Sequence, residues 1–327
     1  MMVLALVGTV AQADSIRIAT FNAELTRKGP GLLLRDIQRG EDEQVQAFVA
    51  LLAEARPDII ALQGIDYDLR QTALKALVET LSTAGLTYPH YFTSAPNAGQ
   101  STGLELNGNG RLGDADDAHG FGRFHGMGGM AILSRFPIDR DAVEDFTLML
   151  WRNLEDHIYP MVDGAPFGGE DVFAAHRLSS RGHWVVPVKT PENGTLRLMT
   201  FHATPPIYDG EEDRNGRRNH DETAFWLNYL TRDTNMDPFI IAGTANTDPA
   251  RGSGRRRAIK QLLASPDLQN PFDDSPTADF KDPLPGDLRV DYLLPSVDWR
   301  VLASGMMPSP KASRHSLLWV DITRANP

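Results

Sequence analysis

The chain contains no cysteine. That absence excludes disulfides, thiolate metal sites and a cysteine nucleophile together. It confines any metal site to oxygen and imidazole ligands, which suit Mg²⁺, Mn²⁺ or Ca²⁺ better than structural zinc. Excess positive charge is missing as well: the formal net charge is −11 over 327 residues. Phosphate neutralisation is the main source of nonspecific nucleic-acid affinity, so tight indiscriminate binding to nucleic acid is disfavoured unless divalent cations offset the charge locally. No segment approaches the roughly 18 uninterrupted apolar residues of a membrane span, and there is neither an internal repeat nor a low-complexity linker. What is present is ordinary globular composition, 41% apolar and 23% charged. A single domain over residues 14–327 is expected, since layered β folds of this length often remain single.

The first thirteen residues form a short apolar run that ends in Ala11-Gln12-Ala13 before Asp14. This is the small-residue cleavage pattern of a secretory signal peptide, without its positively charged n-region. Export to a secreted or periplasmic location is one reading. A mis-chosen start or a plain apolar extension is the other.

Periodicity orders the remainder. Residues 15–22 alternate as a first strand. Val45, Phe48, Val49 and Leu52 fall at helical spacing over 43–55, Pro57 ends that helix, and residues 58–63 form a short buried strand. Leu74, Leu77, Val78 and Leu81 repeat the helical spacing. Residues 96–129, rich in Gly, Asn, Asp and His, read as an insertion. Further strands are expected at 129–134, 184–188, 196–201, 239–242, 290–294 and 317–322, and helices at 221–230 and 255–264. Many strands with few interleaved helices predict sheets packed on each other and flanked by helices.

Six blocks place polar residues at the ends of apolar strands: Ala19-Thr-Phe-Asn22, Ile59-Ile-Ala-Leu-Gln-Gly64, Phe201-His-Ala-Thr-Pro205, Gly243-Thr-Ala-Asn-Thr-Asp-Pro249, Val290-Asp-Tyr-Leu-Leu294, and Ser313-Arg-His-Ser-Leu-Leu-Trp-Val-Asp321. In this order they resemble the endonuclease/exonuclease/phosphatase superfamily, the metal-dependent phosphodiesterases. The resemblance implies a four-layer α-β-β-α sandwich of two mainly antiparallel sheets flanked by helices. It implies a phosphoester substrate, nucleic acid or a smaller phosphodiester, and Mg²⁺ or Ca²⁺ (or Mn²⁺) as cofactor. Asn22 would orient a metal-ligand network. His202 and His315 would flank the scissile phosphate, Asn246 would donate to a phosphate oxygen, and Asp291 would orient a histidine, with His202 the expected partner.

Three positions depart from the family pattern. Gly64 stands where a metal-binding glutamate is usual, Thr244 where an aspartate is usual, and Arg314 where an aspartate precedes the final histidine. Together they shift the local charge by about four units, so hard divalent cations should bind weakly or not at all unless other carboxylates move in. Asp66, Asp68 and Asp248 are the candidate replacements, with ordinary turn chemistry as their alternative. Restoring the carboxylate with Thr244→Asp is expected to raise activity. Arg314 could bind phosphate directly through its paired donors.

Residues 105–116 resemble a twelve-residue calcium loop, with Glu105, Asn107, Asn109 and Asp116 as oxygen donors and Gly110 at the sixth place. A Gly/Asn-rich turn is the alternative. Basic clusters at 214–218 and 251–257 read either as cleft-bordering or as solvated loop charge. In the polar run before residue 184, Arg177 and His183 are candidate substrate-binding residues. The sequence therefore predicts a phosphoester hydrolase, with a catalytically silent binder of a phosphorylated or other anionic ligand as its rival.

Overall fold

The computed structural model describes residues 15–191, 194–232, 236–280 and 285–325. The apolar run at 1–13 and the tip of the turn at 191–194 lie outside these.

Two large sheets form the centre of the molecule. The first contains β1 (Ile16–Leu25), β2 (Ile59–Ile65), β3 (His90–Phe92), β4 (Gly129–Ser134), β10 (Trp299–Pro308) and β11 (Ser316–Arg324), in the order β10-β11-β1-β2-β4-β3. The second contains β5 (Glu144–Asp145), β6 (His183–Thr190), β7 (Gly194–His202), β8 (Phe239–Thr244) and β9 (Asp291–Pro295), in the order β9-β8-β7-β6-β5. Each sheet has one parallel pairing, β1 with β2 and β7 with β8, and is otherwise antiparallel.

Alternation along the strands builds the layers, because successive side chains point to opposite faces of a sheet. On β2, Ile59 and Ala61 enter the core between the sheets, whereas Ile60 and Leu62 face α1 (Leu32–Arg39), α2 (Glu43–Ala55) and α3 (Thr72–Thr83). On β8, Ile240 and Ala242 face the same inter-sheet core, whereas Phe239 and Ile241 pack beneath α5 (Arg214–Leu230) and α6 (Arg257–Leu263). Buried on both faces, such strands read as continuous apolar runs. The expected four-layer α-β-β-α sandwich is the observed fold, with a short α4 (Glu170–Ala175) outside it.

Several elements differ from the sequence reading: α1, β3, β5 and α4 lie where no element is expected. α5 begins at Arg214, two turns earlier than its apolar periodicity suggests, so the basic cluster at 214–218 is its first part and not a loop. β10 was not expected at all. It is an edge strand whose residues are largely exposed, so it shows no alternation for a pattern to detect.

Polar side chains also enter the inter-sheet core. The Thr20 hydroxyl donates to Gln63 Oε1 at 3.3 Å, and Gln63 Nε2 lies 3.5 Å from the Thr200 hydroxyl. This polar ladder ties the sheets together beneath the strand ends that carry Asn22, His202 and Thr244.

Candidate active site

Thr244 ends β8, and its register sets it between His202 on β7 and Asp291 on β9. Its hydroxyl donates to Asp291 Oδ1 at 2.6 Å, and the Thr277 hydroxyl donates to Oδ2 at 2.9 Å. His315 Nδ1 lies 2.7 Å from the same Oδ2. The partner of Asp291 is therefore His315 and not His202, a correction to the sequence reading. The cause is register: His315 immediately precedes β11 and bridges to Ala278, next to Thr277, whereas His202 sits across Thr244.

The two histidines occupy opposite environments. Burial works against a charge on His315, but the Asp291 carboxylate and Glu24 outweigh it, and the pKa of His315 rises above the ordinary imidazole value. His202 has no such carboxylate. Burial, with the positive Arg181 nearby, holds it well below that value, so it is neutral at pH 7. Its Nδ1 is buried without a hydrogen-bond partner. A buried polar orphan costs about 1–3 kcal/mol, and such exceptions call for a functional explanation.

Asn22 lies at the end of β1 with its amide nitrogen 3.4 Å from His315 Nε2. Just beyond it the pairing of β1 with β2 slips, a bulge between Asn22 and Leu25. Gly64 sits at this slip with φ +72°, where a Cβ would lie 2.7 Å from Asn22 Oδ1 and 3.0 Å from the Glu24 amide. The glutamate missing here is thus excluded by the local backbone. Opposite, Glu24 adopts φ +48°. Its carboxylate accepts from the Arg314 amide (2.9 Å), Arg314 Nε (2.9 Å) and Nη2, and the Ser313 hydroxyl (3.1 Å). Those hydrogen bonds hold its pKa below the usual carboxylate value despite burial. Arg314 keeps half of its side chain exposed at the cleft rim, over the Phe280 ring.

The carboxylates proposed as replacements serve other purposes. Asp66 accepts from the amides of Arg27 (2.8 Å) and Gly128 (2.9 Å). Asp68 accepts from the amides of Arg70, Thr72 and Ala73, where it caps α3. Asp248 accepts from the amides of Ala250, Arg251 and Arg289. Asp68 thus serves a helix start and Asp248 a turn, as turn chemistry offers, whereas Asp66 ties the segments at Arg27 and Gly128 together. Among the described residues no three His, Cys, Asp or Glu side chains converge as a metal site. A hard divalent cation takes six or so oxygen ligands, with carboxylates foremost. Here Gly64 offers none, Glu24 is neutralised by Arg314, and the Thr244 hydroxyl is engaged as a hydrogen-bond donor to Asp291. The residues present do not fit the family's metal, and Asn22 serves His315 rather than a metal network.

Other sequence candidates also move. In the 105–116 loop, Glu105 and Asn107 both accept from the Asn109 amide, Asn109 accepts from the Arg111 amide, and Asp116 faces Arg214 at 4.0 Å. The donors close turns on themselves around Asp117, which accepts from the amides of Leu106 and Gly113. Calcium coordination is not what this geometry provides. His183 is buried among Phe201, Phe225 and Trp226, bonded to Ser179 and the Glu222 carbonyl, far from any substrate role. Arg177 donates to Asn97 and Gln100 and holds the insertion in place. Asn246, at φ +54°, spends one amide proton on the Ala203 carbonyl at 2.8 Å, which fixes its side chain at the end of β8.

Sequence reasoning missed the residues that support the site from behind. On α5, Arg214, Arg218 and Glu222 recur at four-residue spacing on one face, with Asn219 beside them, and all four are buried. Glu222 accepts from the amides of Ser180 and Thr204, both at 2.6 Å. Asn219 donates to the carbonyls of Thr204 and Ala245. Helix α5 therefore fixes both the loop after His202 and the loop after Thr244. A four-residue recurrence of polar residues was the available signal, but it is invisible to a search for apolar periodicity. Arg181 was missed inside a run that had been singled out for Arg177 and His183. It is the member whose charge acts on His202; one Nη donates to the Phe121 carbonyl at 2.9 Å, and its Nε is buried without a partner.

The chain resembles several solved structures. An endonuclease/exonuclease/phosphatase from Beutenbergia cavernae is 18% identical at TM-score 0.62, over 95% of this chain and 72% of that one. The sulfate-bound catalytic domain of human Nocturnin is 15% identical at TM-score 0.54, over 95% of each chain. Sphingomyelinase C from Streptomyces griseocarneus is 16% identical at TM-score 0.50, over 94% of this chain and 99% of that one. These likenesses concern the fold. No curated protein matches the sequence. Residues 19–315 match the pattern of the Endonuclease/Exonuclease/phosphatase family, a span that runs from the start of the Ala19-to-Asn22 block to His315. By its sequence pattern over residues 19–315 and its sandwich, the chain belongs to the endonuclease/exonuclease/phosphatase family.

Proposed function

We propose that the cleft between His202 and His315 binds a phosphoester and hydrolyses it with histidines and arginines in place of a carboxylate-held metal. The observation that carries this reading is the pair of imidazoles pushed apart in basicity, His315 raised by Asp291 and His202 depressed by burial. Such a split assigns acid and base roles. In the proposed step, water attacks phosphorus and passes a proton to neutral His202 as the new P–O bond forms. The ester P–O bond breaks, and the departing oxygen takes a proton from His315 Nε2. Arg314 and Arg181 at the rim and floor supply charge-assisted donors to the phosphoryl oxygens. Asp291 holds the tautomer and ring orientation of His315, as Thr244 and Thr277 hold Asp291.

Mg²⁺, Mn²⁺ or Ca²⁺ would bind this donor set weakly, and no step requires one. The substrate is a small phosphodiester before nucleic acid, because the net charge of −11 opposes a long polyanion. The cleavage pattern at residues 11–13 supports export to a secreted or periplasmic space, which the N-terminus of the mature protein would reveal.

The test is hydrolysis of bis(4-nitrophenyl) phosphate against pH. A bell-shaped profile is expected, with His315→Ala and His202→Ala each lowering kcat by about 100-fold or more. A flat profile that neither substitution changes would remove both residues from the chemistry. A second reading, a silent binder of anionic ligands, is favoured by the exclusion of a side chain at Gly64 and the neutralisation of Glu24 by Arg314. Phosphate binding without turnover in any variant would decide for it.

A further inference from the structure

A cavity of about 430 Å³ opens beside this cleft, between the insertion, the loop after His202 and the first turns of α5. Arg181, Arg214 and Arg218 form one wall, and Phe121, Ile207 and Tyr208 contribute to the other. The acidic group among the lining side chains is Asp116, 4.0 Å from Arg214. Three guanidinium groups against the half-exposed Asp116, with Glu222 buried behind Arg181 and Arg218, leave a net positive wall in a chain that is acidic overall.

These guanidiniums hold donors in reserve. Each carries five N–H groups. Arg214 is 7% exposed, yet its one hydrogen bond within 3.5 Å runs from Nη1 to the Leu106 carbonyl. Arg218 directs Nε and Nη2 to backbone carbonyls, and none of the described residues takes a hydrogen bond from its Nη1. The buried Nε of Arg181 also lacks a partner. A buried N–H without a partner, as at Arg181 Nε, costs stability unless a ligand satisfies it, and Arg214 and Arg218 line the cavity with donors to spare. The apolar wall has the opposite character: Tyr208 is 84% exposed at φ +69° and Phe121 is 43% exposed. Large aromatic rings presented to solvent beside a cationic wall suit a planar, apolar body that carries a negative group.

We propose that this cavity is a second anion-binding subsite, which takes a second phosphate-like group of a small substrate on Arg214 and Arg218, with the apolar or aromatic body of that substrate between Phe121 and Tyr208. Arg181 connects the two sites, since it lines the cavity and its charge acts on His202. The placement of the first phosphate rests on the reading of the His202–His315 cleft given above. The insertion at 96–129 thereby acquires a purpose, because it supplies Leu106, Asp116 and Phe121 to the walls.

Calorimetric titration of the full chain with inorganic phosphate, AMP and adenosine 3′,5′-bisphosphate separates the contributions. A charge-assisted hydrogen-bonded contact contributes enough for the bisphosphate to bind about 10- to 100-fold tighter than AMP. Arg214→Gln should erase that difference and Arg214→Lys should retain part of it. Tyr208→Ala, at an exposed position that folding does not need, should weaken AMP and the bisphosphate alike and leave inorganic phosphate unchanged. Equal affinity for AMP and the bisphosphate in the parent chain would overturn the proposal. So would a preference that survives Arg214→Gln in a folded variant, or an oligothymidylate that binds tighter than the bisphosphate. A bisphosphate preference in a parent chain that hydrolyses no phosphoester at any pH would sink the hydrolytic reading while leaving this subsite standing.

Discussion

Gly64 and Thr244 show why a departure from a family pattern must be judged by its surroundings. At Gly64 the backbone is left-handed and the space for a Cβ is already taken by Asn22 and Glu24. Gly64→Glu should therefore destabilise the fold by about 1–3 kcal/mol through backbone strain, read as a lower midpoint in urea, and should not create a metal site. Thr244 is buried and its hydroxyl donates to Asp291. An aspartate there would set two buried carboxylates against each other. The gain of activity expected from Thr244→Asp is accordingly replaced by the opposite prediction: a loss of about 3 kcal/mol or more and a fall in turnover, with Thr244→Ser close to the parent. A Thr244→Asp chain as stable and active as the parent would contradict this. The identities of His202, Asn246, Asp291 and His315 as strand-end residues were legible, because each follows or begins an apolar run. Which histidine meets Asp291 was not, since it depends on how β9 and the segment before β11 meet in space.

Among the elements, those buried on a regular period were legible. β4 and α2 lie where their patterns place them, since burial of one face or both imposes the period on the sequence. β10 is largely exposed, and the start of α5 is polar, so neither had an apolar period to reveal it. Helix α5 is the element on which the site depends, because Glu222 satisfies the amides of Ser180 and Thr204 together. In Glu222→Gln the side-chain NH₂ must face one of those donors. The expected cost is about 1–3 kcal/mol, with amide hydrogen exchange at Ser180 and Thr204 accelerated ahead of the sheet core. Unchanged protection at both amides would mean that the helix does not hold these loops. Arg177, His183 and Asp248 show the converse: they stand near expected site positions in sequence, but tertiary packing gives them structural partners that no local pattern specifies.

At the scale of the whole molecule, several buried histidines set the acid limit of stability. Burial lowers the pKa of His119 and His183 to about 4, and those of His176 and His202 well below the ordinary value. Between about 6.5 and 4 the unfolded chain binds these protons and the folded chain does not, so their contribution is present above pH 6.5 and is lost as pH falls. Glu222 and Asp66, raised by burial, work in the opposite sense, and His315, raised by Asp291, adds stability that is lost as pH rises above 6.5. Stability against urea should fall from pH 6.5 towards pH 4, and the slope should lessen by about one proton in His183→Phe; an unaltered slope would place that histidine's protonation elsewhere. The described helices include none long and apolar enough to cross a membrane, and the strand ends bring His202, Thr244, Asp291 and His315 to one edge of the sandwich, where Asp291 is bonded to Thr244 and His315. The central claim is that phosphoester chemistry in the cleft between His202 and His315 belongs to histidines and arginines and not to a bound divalent cation. Turnover of bis(4-nitrophenyl) phosphate by chelator-treated protein tests it most directly: activity retained with chelator and lost in His315→Ala is the predicted result, and activity abolished by chelator and restored by Mg²⁺ would contradict it.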